Sequence, residues 1–177
     1  MYQPEEWLKK IKTGVSPSID PTAYIAPGAV VRGDVTMKEQ SSIWHNCVLH
    51  GDVASITLGK RSSLQELCCV HVGFDTPTVI GDDVTVGHGC IIHGCTIEDH
   101  CTIGMGAIIM DHAVIGAGSF VGAGAIVTEH TIVPPNSVVM GIPAKVRRET
   151  TEAERESTAI SVAHYVYEAQ LALAGQD

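Results

Sequence analysis

A six-residue period constrains this chain more than any other feature. Aliphatic side chains recur at Ile19, Ile25, Val31, Met37, Ile43 and Leu49. The series breaks near 53–55 and resumes as Leu58, Leu64 and Val70. After an interruption at 73–77 come Ile80, Val86 and Ile92, then Ile97, Ile103, Ile109, Ile115, Val121, Val127, Val133 and Val139. The step from Ile92 to Ile97 is five, so one residue is missing there. Small residues tend to follow four after the aliphatic, as at Ala23, Ala29, Ala107, Ala113, Ser119 and Ala125. Neither an α-helix nor a β-hairpin repeats every six residues. A hexapeptide repeat is the pattern of a parallel β-helix. Each six makes a short strand and a turn, and three sixes make one triangular coil, with coils stacked about 4.8 Å apart.

The flanks read differently. Residues 1–14 form an N-terminal segment with a weak helical start, acidic first and basic last, closed by Gly14. The β-helix is expected over 15–145. Over 151–174 helical spacing takes over, with a capping box at Thr151 and Glu154 and an apolar stripe of Ile160, Ala163, Tyr167, Leu171 and Ala174. This C-terminal α-helix is expected to lay that stripe along the β-helix or a neighbouring subunit. The 177 residues thus read as a single domain.

Composition narrows the function classes. Eleven Lys and Arg against 20 Asp and Glu give a net charge of −9, which argues against nucleic-acid and anionic-membrane binding. No apolar run reaches membrane-span length and no signal-peptide core opens the chain, so a cytoplasmic location is expected. Six cysteines occur without a C-x-x-C pair. Cys47, Cys68, Cys90 and Cys101 fall in the small-residue slot of the repeat, and Cys95 does so if Ile91 is its anchor. Reduced, buried packing is therefore expected of the cysteines.

Three histidines interrupt the repeat with the spacing His71-x16-His88-x4-His93. Neutral imidazole is the commonest metal ligand among side chains, and three protein ligands with one open position make a catalytic zinc arrangement. If 73–77 is a loop extruded at a corner, Ile80, Val86 and Ile92 repeat the faces of Leu58, Leu64 and Val70. His71 and His93 each follow their anchor by one and stand one rung apart. His88 follows Val86 by two and belongs to another face, which hints at sites shared across a cyclic trimer. By the same count Leu49 shares the face of Val70, so His50 should stand in one column with His71 and His93. His45, His100, His112, His130 and His164 lack metal spacing and read as surface or turn residues.

The hexapeptide array, the three histidines, the run from His88 through His93-Gly-Cys-Thr-Ile, the Gly104-Met-Gly106 element and the terminal helix together resemble the γ-class carbonic anhydrases and their short bacterial relatives. The resemblance implies a left-handed parallel β-helix and a homotrimer with zinc, or Co²⁺, Fe²⁺ or Ni²⁺, at each interface. It implies two ligands from one chain, His71 and His93, and His88 from the next. The implied reaction is the hydration of CO₂ to bicarbonate. Gln65 matches a glutamine that hydrogen-bonds solvent on the metal, Tyr165 a tyrosine overhanging the site, and Asp52 the acid of an Arg-Gly-Asp element. Glu66 replaces a nearby acid. Three departures matter: His50 replaces the arginine of that element, Ser63 replaces an asparagine, and the long acidic loop shrinks to 73–77. They predict weak CO₂ hydration. Two other readings stay open: a coenzyme A-dependent acyltransferase using a histidine base, and a non-catalytic metal-binding structural subunit.

Overall fold

The structure, a computed structural model, describes residue 6 and residues 8–176. Most of the expected N-terminal helix, at 1–5 and 7, lies outside the described residues. Glu6 and Leu8 are helical, Lys9 and Lys10 form a turn, and Gly14 takes a left-handed φ of +75°.

The chain winds as a parallel β-solenoid of about seven turns. Strand register stacks the repeat anchors into three columns. Ile19, Met37, Leu58, Ile80, Ile97, Ile115 and Val133 form the first. Ile25, Ile43, Leu64, Val86, Ile103, Val121 and Val139 form the second. Val31, Leu49, Val70, Ile92, Ile109 and Val127 form the third. Their side chains point inward, and from Leu49 to Val139 every anchor is essentially shielded from solvent. Each buried aliphatic contributes about 1.5–3 kcal/mol relative to exposure. The narrow interior explains the small slot: Ala107, Ala113, Ala125, Cys47, Cys68, Cys90, Cys95 and Cys101 are all buried between the columns. Cys69 departs from the expectation. It precedes its anchor by one, points outward and is exposed.

The corner between the third and first columns is irregular, and every departure from six falls there. Val48–Leu58 runs continuously around it, carrying the surplus at 53–55. The next coil extrudes the loop at 73–77, pinched by a bridge between Gly73 and Thr76. The following coil turns in one residue fewer at Gly94, whose φ is +53°. Because Val30–Met37 and Val48–Leu58 bend around this corner, two of the three faces merge into one 11-stranded sheet, leaving the second face as an eight-stranded one. In turns of regular length, two of them at this same corner in the upper coils, His100, His112 and His130 hold left-handed φ values of 58–60°, a conformation in which histidine is enriched among non-glycine residues.

Beyond the expected end at 145, Ala144–Glu149 turns back as an antiparallel strand on Ser137–Gly141 and closes the edge of the stack. The helix α1, Glu152–Leu173, then descends the second face. Thr151 and Glu154 form the reciprocal capping box. Near the top Thr158 meets Thr102, and at the bottom Gln170 donates to the Thr22 carbonyl. The buried face is not the expected stripe. Val162 and Ala169 are buried, with Tyr165 and Ala172 packed beside them against Tyr24, Ala26 and Trp44, while Ile160 and Tyr167 are 65% and 64% exposed. The aromatic shelf of Tyr24 and Trp44 admits a small residue at 169 and an edge-on ring at 165, so shape overrides hydrophobicity. Among the described residues no helix is long and apolar enough to cross a membrane.

Candidate metal centre

The irregular corner carries the histidines. Strand pairing sets His93 directly opposite His71, and Arg32 opposite His50. The His50 and His71 rings lie 5.5 Å apart and those of His71 and His93 5.1 Å. Arg32, His50, His71 and His93 therefore climb one edge of the prism on consecutive rungs. Gly33 and Gly51 make the lower rungs possible, because a Cβ on Gly33 would overlap the Gly51 carbonyl.

Carboxylates brace the outer nitrogens of these rings. His71 Nε2 lies 3.1 Å from Asp52 Oδ1, and His93 Nδ1 hydrogen-bonds Asp111 Oδ1. The inner nitrogens, His71 Nδ1 and His93 Nε2, face one another at 3.1 Å. When the outer nitrogens donate N–H to their carboxylates, both inner nitrogens are lone pairs. Two lone pairs at that distance call for a cation between them, either an added proton or a metal ion. Imidazole nitrogen braced by carboxylate is also the usual ligand arrangement for a borderline divalent ion. The donor set therefore fits such an ion.

His88 sits apart from this pair, in the turn after Val86 at the corner between the second and third columns. Its Nδ1 stands 2.8 Å from Glu66 Oε2. The approach is off the hydrogen-bonding direction, so this solvent-screened oxygen accepts no aligned hydrogen bond among the described residues. Within one chain the structure brings His71 and His93 together and leaves His88 on another corner. His71 also belongs to a three-residue group with His50 and Asp52: one ligand atom from each of the three lies within 4.8 Å of the others.

Gln65 is buried on the second face beneath α1, with its side chain close enough to the Tyr165 phenol to favour the ionised form slightly. Tyr165 stacks edge-on against Trp44 at 5.7 Å. Burial, and then the nearby Glu66 and Glu168 carboxylates, push the Tyr165 hydroxyl above its ordinary value, so it stays protonated and available as a donor. The sequence reading missed Asp111, which lies 18 residues from His93 and reaches it only through the coil above. The period could have found it, since Asp111 follows Ile109 on the same column. Arg32-Gly33-Asp34, an Arg-Gly-Asp one rung below His50-Gly51-Asp52, was equally legible and also missed.

The bacterial transferase hexapeptide family model (six repeats) matches residues 77–109 and 94–129. A "Probable carbonic anhydrase" of Methanocaldococcus jannaschii is 48% identical over 148 residues, covering 84% of this chain and 93% of that protein. Gamma carbonic anhydrase 2, mitochondrial, of Arabidopsis thaliana is 42% identical over 162 residues, covering 88% of this chain and 58% of that longer protein. Among solved structures, a hexapeptide transferase family protein from Anaplasma phagocytophilum superposes with a TM-score of 0.86 at 42% identity, covering 89% of this chain and 93% of that one. Identity of this extent, spread along the solenoid that carries the braced histidines, shows that the chain belongs to the hexapeptide-repeat proteins as a γ-carbonic-anhydrase-like member.

Proposed function

We propose that this protein is a metal-dependent carbonic-anhydrase-like enzyme, hydrating CO₂ reversibly to bicarbonate at a zinc site shared between subunits of a homotrimer. The observation that carries the reading is the pair of inner nitrogens, His71 Nδ1 and His93 Nε2, facing at 3.1 Å with carboxylates behind both rings. His71 and His93 hold the ion from one chain, and His88 of the partner subunit completes the set. The position of His88 on a different corner supports a shared site. When bound, a divalent ion supplies a water acidified from about 15.7 to about 7. Asp52 and Asp111 keep the ring protons on the outer nitrogens and so fix the inner ones as ligands. Gln65 orients the nucleophile, held in place by Tyr165, whose ring also limits the space above the pocket. Small-molecule CO₂ and bicarbonate are the only partners required besides the neighbouring subunits. Six free cysteines support a reducing, cytoplasmic location. His50, where an arginine was expected, makes slow turnover the expectation.

The test is zinc content, oligomeric state and CO₂ hydration on parent, His71→Ala, His88→Ala and His93→Ala. Loss of metal and hydration in all three variants, with a trimer in the parent, is expected. Full zinc occupancy in His88→Ala would remove the shared site. A second reading, thioester-dependent acyl transfer, has the similarity to the hexapeptide transferase family protein of Anaplasma phagocytophilum in its favour. It requires activity with a coenzyme A thioester in metal-free protein.

A further inference from the structure

His71 has two faces, and only one of them looks toward His93. Its Nε2 lies 3.1 Å from Asp52 Oδ1 on the opposite side, where His50 comes up from the rung below. Among the described residues, these three supply the one group of ligand atoms, all within 4.8 Å of one another, that a single chain can close around a metal ion. All three side chains are partly exposed on the single chain, at the outer surface of the solenoid. The set is two imidazoles and one carboxylate, donors that suit zinc, copper and nickel.

We propose that His50, Asp52 and the outer nitrogen of His71 form a second divalent transition-metal site beside the interface centre. It rests on the proposed function for the first ion but not for the second. Bonds of about 2.0–2.2 Å to a tetrahedral ion place donor atoms about 3.3 Å apart. The His71–Asp52 pair already has that spacing at 3.1 Å. His50 closes the rest by rotation about its side-chain torsions. With both ions bound, His71 offers one ring nitrogen to each, and Asp52 serves the second ion as a ligand in place of the Nε2 proton. His50 is then a ligand: an arginine at that position, permanently protonated, could not coordinate. The lower rung supports the geometry, since the stacking of Gly33 on Gly51 brings the His50-Gly51-Asp52 stretch of the strand close to the coil beneath it.

The experiment is the count of bound Zn²⁺ per subunit after equilibrium dialysis of the full chain. Parent, His50→Ala, His50→Arg and His88→Ala are compared, and sedimentation confirms the oligomer of each. Two ions per subunit are expected in the parent and one in each variant. A count of one that is lost in His88→Ala and kept in both His50 variants overturns the second site and leaves the proposed function standing. A count of one that is lost in the His50 variants and kept in His88→Ala upholds the site and overturns the interface centre. A single ion lost in all three variants places His50 in the same centre and overturns a separate site, and no bound zinc overturns both. Agreement between His50→Ala and His50→Arg shows that coordination, not a packing defect at one substitution, sets the count.

Discussion

Asp111 reaches His93 across one coil of the solenoid because residue 94 is glycine. The carboxylate hydrogen-bonds His93 Nδ1, and a Cβ at Gly94 would overlap its Oδ1. The missing residue of the repeat and the brace on the metal ligand are thus one feature. Partners that orient a ligating histidine typically contribute 10–100-fold to metal affinity. Asp111→Ala is expected to weaken zinc binding by roughly that factor, measured by competition with a chelator, and to leave the melting temperature of metal-free protein nearly unchanged. Unchanged zinc affinity in a folded variant would remove Asp111 from the site.

Tyr165 brings the phenol of α1 up to the Gln65 side chain, near enough to influence its ionisation. A neutral hydrogen bond contributes about 1 kcal/mol, or roughly fivefold in rate. Tyr165→Phe should lower kcat for CO₂ hydration by about that much with zinc content unchanged. Its hydroxyl is held above the ordinary value of 10.0, so no loss of activity from its ionisation is expected at lower pH. An unaltered kcat would confine Tyr165 to packing.

The cap of α1 has a defined acid limit. Arg148, with help from the Thr151 backbone, holds the Glu154 carboxyl at about 2, below its ordinary 4.5. Because the folded value is the lower one, this contribution is complete above about 4.5 and is lost as pH falls toward about 2. Helix docking should therefore weaken across that window. Fluorescence of Trp44, read in a Trp7→Phe background, reports it, since Tyr165 packs on Trp44. Glu154→Gln should flatten the dependence; a parent profile already flat over this range would refute the role.

Thiol labelling separates the one outward cysteine from five inward ones. Cys69 is exposed, whereas burial pushes Cys95 and Cys101 up to about 12 and encloses Cys47, Cys68 and Cys90 in the core. Native protein at pH 8 should take one label per chain, abolished by Cys69→Ser, and denatured protein six. Rapid modification of several cysteines without unfolding would mean that the coils open readily.

The sequence by itself determined the column to which each anchor belongs. A period of six with three sixes per coil, once 73–77 is taken as a loop extruded at a corner, sets His71 opposite His93 and His50 below them. That was legible because every anchor must point into a core too narrow for another choice. Only the tertiary structure decided which face of α1 is buried: its apolar residues are too evenly spread for hydropathy to choose, and the shelf of Tyr24 and Trp44 selected Tyr165 and Ala169. It also decided the partners at the corner. Asp52 and Asp111 meet their histidines from neighbouring coils, at distances along the chain that reflect loop lengths rather than any local pattern. Short-range periodicity fixes where a backbone runs, while the direction of a side chain at an irregular corner depends on the coils stacked above and below it.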